Sequence, residues 1–255
     1  MTQLRQESPA NKAPLVQEVF ERADRYLNRR RYDINIRAAA VAELLKNARY
    51  DRILDIGCGD GSISLPLIAR DRHLTLLDFS SAMLSAAKAS IPPEFAGNVE
   101  VRQEDFMKAA FEVHSFDLII CLGLMAHVDS PDAFLKKLSS LLRADGLLIL
   151  EFTDAFHFMG RLSRFIRRLR EFARPPLYSV NLWSFHRIRA LISASGLQIL
   201  STFRYSLPAF PGSRLLGQRS LFRIVRGTYG EPGRNRNAWM GNEYICLLRT
   251  QEVEK

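Results

Sequence analysis

The sequence lacks the long apolar run that a membrane-spanning helix needs. An apolar stretch such as Leu147 to Phe152 is interrupted by Glu151 and falls far short of the roughly 20 residues required to cross a bilayer. Cysteine is scarce. Cys58, Cys121 and Cys246 are odd in number and far apart, which excludes both a C-x-x-C metal framework and a disulfide scaffold. Met1 to Pro14 is polar and offers no apolar core of a secretory signal. There is no internal repeat and no low-complexity tract. These absences leave a reduced, cytoplasmic, folded protein as the expectation. With 255 residues, 47% of them hydrophobic, the chain can bury a sizeable core as a single α/β domain.

Charge is plentiful but unevenly placed. Residues 1–155 carry 19 Lys and Arg against 22 Asp and Glu, whereas 156–255 carry 17 against 5. Of the 36 basic residues 29 are arginine, the cation suited to bidentate phosphate and carboxylate contacts.

Short apolar runs alternate with helical patterns through the centre, the mark of β-α units and a parallel sheet. Strands are expected at 52–57, 73–78, 98–102, 116–122, 147–152, 197–205 and 243–249. Helices are expected at 61–70, at 81–90 capped by Ser80 or Ser81, from Pro131 to Arg143, and at 182–194. The chain then divides into an N-terminal helical cap (1–50), a cofactor-binding core (51–152), a basic lid insertion (153–181) and a second insertion (206–242). Both insertions follow strands of the sheet's carboxyl edge, where ligands of such folds bind, so both are candidate walls of a substrate pocket.

The first strand runs into Asp55-Ile56-Gly57-Cys58-Gly59-Asp60-Gly61. Glycines at such a turn let the backbone approach a ligand closely. Ser62 stands where the dinucleotide fingerprint needs Gly or Ala, which weakens a nicotinamide reading. Asp78 ends the second strand, 21 residues after Gly57, where an acid can accept hydrogen bonds from both hydroxyls of a ribose. Asp105 and Phe106 follow the third strand and offer a carboxylate for an exocyclic amine and an aromatic wall for adenine.

Taken in order, ILDIGCGDGSISLPL, LTLLDFSSAMLSAAK, VEVRQEDF and SFDLIICLGLMAHVDSPDAFLKKLSSLLRADGLLILEF resemble successive motifs of the class I, Rossmann-like S-adenosylmethionine-dependent methyltransferases. The run from Met125 to Pro131 is similar to the subgroup of ubiquinone-biosynthesis-type and other small-molecule methyltransferases. The resemblance covers about residues 50–152 and is specific for fold and cofactor, not for acceptor. It implies a three-layer α/β sandwich with a seven-stranded sheet of order 3-2-1-4-5-7-6, strand seven antiparallel. It implies S-adenosyl-L-methionine as cofactor and S-adenosyl-L-homocysteine as product. Asp55 and the backbone of Gly57, Cys58, Gly59 and Gly61 would hold the methionine part. Asp78 would bind the ribose, Phe79 and Met83 would pack on the adenine, and Asp105 would take its amino group. Cys121 and Gly123 would line the path to the sulfonium.

For the chemistry, His127 is the first candidate, because it follows strand four at the pocket edge and titrates near neutrality; it can act as a base or position the acceptor. Glu151, Asp154 and His157 near the end of strand five are weaker candidates, as are Arg37, Tyr26 and Tyr32 before strand one. No metal site is expected. Residues 160–175, GRLSRFIRRLREFARP, form a basic amphipathic helix, suited to a lid or to peripheral contact with the inner membrane surface. The second insertion adds further arginines and apolar residues. The expected acceptor is a small molecule, amphiphilic or anionic. An RNA substrate is the alternative enzyme reading, disfavoured because Cys121-Leu122-Gly123-Leu124 stands where an N/D-P-P-Y motif would follow strand four. A cofactor-binding scaffold without turnover is the third.

Overall fold

The computed structural model describes residues 23–171, 180–208 and 215–251, with the side chains of 23–26, 28–30, 163 and 166–171 excepted. Tyr26, Phe210, Arg214 and the arginines after Phe165 in the 160–175 helix therefore lie outside the described side chains.

The main strands are β1 (Arg52–Ile56), β2 (His73–Asp78), β3 (Val99–Gln103), β4 (Phe116–Cys121), β5 (Leu142–Thr153) and β6 (Leu197–Tyr205). A two-residue ribbon of β7 (Gly230–Glu231) with β8 (Arg234–Asn235) precedes β9 (Glu243–Thr250), the strand expected as seventh. The sheet order is β3-β2-β1-β4-β5-β9-β6. β1 to β5 are mutually parallel, and β9 runs antiparallel to both β5 and β6. The helices are α1 (Ala23–Leu44), α2 (Ser81–Ala89), α3 (Pro131–Leu141), α4 (Phe158–Glu171), α5 (Phe185–Ala194) and α6 (Gln218–Tyr229).

The central strands read as nearly continuous apolar runs because both of their faces are covered. Successive side chains point to opposite faces, so each strand feeds two cores. Leu54, Ile56, Ile119, Leu148 and Leu150 pack under α3 and α5. Ile53, Leu118, Ile120, Ile149, Phe203 and Tyr205 pack with α1, α2 and α6. Asp55 and Glu151 alternate with the first set and so point toward α1.

Two local expectations change. The helix expected at 61–70 is a run of turns with one 3-10 turn at Leu65–Leu67. Leu65 N–H reaches Gly61 O at 2.9 Å, but Pro66 has no N–H for the next rung and its ring opposes the carbonyl four residues back. The strand expected at 147–152 begins earlier, at Leu142, and encloses a kink at 144–146: Asp145 takes φ 61°, and the register shifts between Phe116↔Leu142 and Leu118↔Leu147. Ser80 caps α2 as expected, accepting the Met83 N–H at 3.3 Å.

A buried ionic cluster docks α1 onto the sheet. Arg37 Nε lies 2.8 Å from Glu151 Oε2 and 2.9 Å from Oε1, and its NH2 lies 3.5 Å from Asp33, one helical turn earlier. The Tyr205 hydroxyl sits 3.0 Å from Asp33 Oδ1 and 2.9 Å from Glu151 Oε1. Thr153 donates to Glu243 Oε2 at 2.6 Å. Two carboxyls thus share one guanidinium, and Glu243 adds a third acid to the cluster. Burial pushes Glu151 above the usual carboxylate range against the pull of Arg37, with the Asp33 charge adding to the rise. Burial, and then the Glu151 charge, raises Glu243 to about 7. Burial and the two acids raise Tyr205, which stays a donor.

A carboxyl whose pKa is raised on folding holds a proton that the unfolded chain releases, so stability falls as pH rises from the unfolded value toward the folded one. For Glu243 that window runs from 4.5 to about 7, and the loss is on the order of 1–3 kcal/mol. Urea unfolding at pH 5 and pH 8 should show the wild type less stable at the higher pH. Glu243→Gln, which mimics the protonated acid, should flatten that difference and be the more stable protein at pH 8. Parallel pH profiles for the two proteins would refute the assignment.

Candidate active site

A cleft opens beyond the carboxyl ends of β1, β2 and β4. The loop after β1 contributes Gly57, Cys58, Gly59, Asp60 and Ile63 above Asp55. Asp78, Phe79 and Met83 form a second wall, and Leu122, Gly123, Leu124 and His127 a third. The fourth wall is α1, through Leu27, Ile34 and Arg37. Among the described residues neither insertion contributes to the lining of this cleft, whereas the N-terminal helix does.

Two glycines make the floor possible. Gly57 has φ 68°, and a Cβ there would lie 2.8 Å from the Leu124 side chain; Gly59 has φ 55°, and a Cβ there would meet nothing within 4 Å. Gly57 is thus required by packing, whereas Gly59 leaves its backbone open to a ligand. Gly57 N–H and Cys58 N–H both reach Leu77 O, at 2.7 and 3.2 Å. Asp78 braces the same loop: its Oδ2 accepts from Gly59 N–H at 3.0 Å and its Oδ1 from Ser80 N–H at 2.9 Å. One carboxylate therefore holds the glycine turn and starts α2 while standing in the cleft wall.

Asp55 is 3% exposed. Burial raises its carboxyl to about 7, with the Ser64 hydroxyl opposing the shift and the Asp78 charge adding to it. Neither Asp55 Oδ2 nor Ser64 Oγ makes a well-formed hydrogen bond among the described residues. Such an oxygen is costly to bury unless something completes it. Cys58 faces the cleft, but burial and the charges of Asp55 and Asp78 push its thiol up, which keeps it protonated and poorly nucleophilic.

Four expected cofactor contacts lie outside the lining. Gly61 shapes the loop from beneath, against Leu65. Asp105 is exposed, and its Oδ1 accepts the Met107 N–H at 2.9 Å in a tight turn. Phe106 is buried in the α3 core, edge-on to Phe134 with ring centroids 5.2 Å apart, so it provides no wall here. Cys121 is fully buried on the face opposite the cleft, because strand alternation turns its neighbour Leu122 toward the lining instead.

His127 ends a 3-10 turn (Met125–His127) after β4, its N–H bonded to Leu124 O at 2.7 Å, and lines the cleft. Arg37, one of the weaker candidates from the sequence, lines the cleft with a side chain only 16% exposed. Its guanidinium stands 3.6–3.8 Å from where a Gly123 Cβ would be. Tyr32 is buried in the α1 core. Asp154 caps a turn by accepting from Phe156 and His157 N–H, and His157 bonds Trp239 O at 2.9 Å; neither lines the cleft. Sequence reasoning missed Leu27, Ile34, Leu122 and Leu124. These apolar positions carry no chemical signal, whereas Arg37, named from the sequence, stands four residues from its partner Asp33. Among the described residues no group of three His, Cys, Asp or Glu is placed to hold a metal ion.

Residues 53–146 match the family model of a methyltransferase domain. The chain is 28% identical over 121 residues to a ubiquinone biosynthesis O-methyltransferase of Neisseria meningitidis serogroup C, covering 46% of this chain and 50% of the relative. It is 30% identical over 105 residues to a phosphatidylethanolamine N-methyltransferase of Cereibacter sphaeroides, covering 41% and 51%. The chain spans about half the length of the curated relatives it matches. Among solved structures, the magnesium protoporphyrin IX methyltransferase of Synechocystis PCC 6803 with bound SAH superposes with a TM-score of 0.65 at 17% identity, covering 94% of this chain and 100% of the other. Residues 53–146 thus match a methyltransferase domain, and the sheet order and the superposition show the fold of the class I, Rossmann-like S-adenosylmethionine-dependent methyltransferases.

Proposed function

We propose that the protein transfers the methyl group of S-adenosylmethionine to an oxygen of a small-molecule or lipid-linked acceptor, releasing S-adenosylhomocysteine. The observation that carries this reading is the convergence on one cleft of an open glycine turn, two buried acids and a histidine. The residues fit the cofactor. Gly59 leaves backbone open to it, Asp55 Oδ2 is a buried oxygen awaiting a partner, and Asp78 stands at the wall beside Phe79 and Met83. The cofactor supplies a methyl already activated on a sulfonium.

The chain then has to orient two partners and exclude water. Asp55 and the loop backbone would hold the amino-acid arm, Asp78 would take the ribose, and Phe79 with Met83 would pack on the base. Arg37, fixed by Glu151 and Asp33, offers a cation to a carboxylate. His127 takes the acceptor's hydroxyl proton. A hydroxyl becomes a strong nucleophile only as its proton leaves, so a histidine in the cleft serves an oxygen acceptor more than an already nucleophilic amine. The two relatives described above are named for O-methylation in ubiquinone biosynthesis and N-methylation of phosphatidylethanolamine. Their names support a small or lipid-like acceptor.

Calorimetric titration with S-adenosylhomocysteine should show saturable binding to the wild type, weakened about tenfold or more in Asp78→Ala; a folded wild type that binds none sinks the proposal. In a methyl-transfer assay, His127→Ala should lower kcat by roughly 10²-fold or more and abolish the fall in activity on the acid side of the profile. A kcat unchanged across pH would remove His127 as the base.

A further inference from the structure

We propose a second binding site, separate from the cleft, that takes a phosphate or diphosphate group between α1 and α6. A cavity there is lined by Arg31, Asn35, Gln218, Arg219, Phe222 and Arg223. Arg31 and Asn35 are four residues apart on α1, as are Arg219 and Arg223 on α6, so each pair stands on one side of its helix. The packing fixes which side. Leu221, Val225 and Tyr229 turn inward to the core, leaving Arg219 and Arg223 on the outer part of α6. Gln218 Oε1 accepts the Tyr32 N–H at 3.0 Å and ties the start of α6 to α1.

The electrostatics of this cavity are unbalanced. Three guanidinium-bearing residues converge, and among the described residues no carboxylate pairs with Arg219 or Arg223. Arg31 is half-exposed, with a long contact of 3.6 Å to Asp60 and a hydrogen bond of 3.3 Å to the neutral Ser62 hydroxyl. Like charges four residues apart on a helix repel. A folded surface that gathers three such groups around Asn35, Gln218 and an aromatic wall is stabilised by an anion with several acceptor oxygens. Arginine forks match phosphate oxygens in pairs. The flank is apolar: Leu215, 90% exposed, and Leu216, 36% exposed, lead into α6. They suit the hydrocarbon part of an amphiphile. Asp60, the partner of Arg31, also lines the cofactor cleft, so the two sites are neighbours across one ion pair. The inference stands independently of methyl transfer.

The test is calorimetric titration of the full chain with inorganic pyrophosphate at low salt. Saturable binding is expected, weakened at least tenfold in Arg219→Gln/Arg223→Gln and again in Arg31→Gln. Affinity of the double variant for S-adenosylhomocysteine should be unchanged, which separates this site from the cleft. Sedimentation with vesicles assigns the source of the phosphate. Retention on phosphatidylglycerol vesicles but not phosphatidylcholine vesicles, reversed by pyrophosphate, identifies a lipid headgroup. Pyrophosphate binding without vesicle retention identifies a soluble phosphate ester. Absence of saturable pyrophosphate binding by the wild type, or equal binding by the double variant, overturns the proposal.

Discussion

The ion pair between Arg37 and Glu151 holds the site together. Glu151 points toward α1 because side chains alternate along β5, with Leu150 and Phe152 turned to the opposite core. Arg37 reaches it from a helix that also touches the sheet through apolar contacts such as Ile36 and Val41 and through the hydrogen bond of Tyr205 to Asp33. Apolar packing tolerates small rotations of a helix, whereas a guanidinium held by two carboxylates does not. The pair therefore sets which residues of α1 face the cleft. Removing one partner of such a buried pair leaves an uncompensated charge, at a cost of about 3–5 kcal/mol. The absence of a side chain at Gly123 leaves room for the guanidinium at the cleft.

The same face of the sheet carries an excess of acids. Asp55, Glu151 and Glu243 all have carboxyls raised by burial, and Asp78 adds a fourth acid at the rim. One guanidinium does not neutralise this group, so part of it holds protons at neutral pH. A ligand bearing an ammonium and a sulfonium would bring the compensating positive charge, with Asp55 Oδ2 directly available to it. Fold and cofactor chemistry are linked here: burying the acids is costly without the ligand, and that cost favours a cationic ligand over a neutral nucleoside.

Much of the core was legible in the sequence, because the signals there are local. Runs such as HLTLLD and LQILSTFRY bounded by turns give β2 and β6 to the residue, and Ser80 caps α2 by an ordinary side-chain bond. The glycine loop and Asp78 were legible for the same reason. Non-local features were not. Phe106 and Cys121 sit beside the site in sequence, but which face they take depends on packing under α3. The helix expected after the glycine loop ignored Pro66. The pairing of Arg37 with Glu151 was hidden because the two lie 114 residues apart, and no spacing rule in one sequence links them. Glu243 was hidden likewise. The side-chain contacts of 160–175 lie mostly outside the described residues, although Leu162 and Phe165 in its first half are exposed, at 46% and 60%.

The arginine excess of the second half separates into two populations once the contacts are known. Several arginines are structural. Arg204 bonds Gly241 O and covers Tyr244, Arg187 covers Trp183, Arg226 pairs with Glu231, and Arg249 lies 3.9 Å from Asp145. These stitch the antiparallel edge and the second insertion, and there stacking and multiple donors favour arginine over lysine. Arg219 and Arg223 do no such work: they stand on the outer side of a helix whose inner side is already anchored by Leu221, Val225 and Tyr229. A charge that repels its neighbour and supports no packing lowers stability slightly where it stands. An anion bound there, as proposed, would offset that repulsion, and it would lie one ion pair, Arg31 with Asp60, from the cleft.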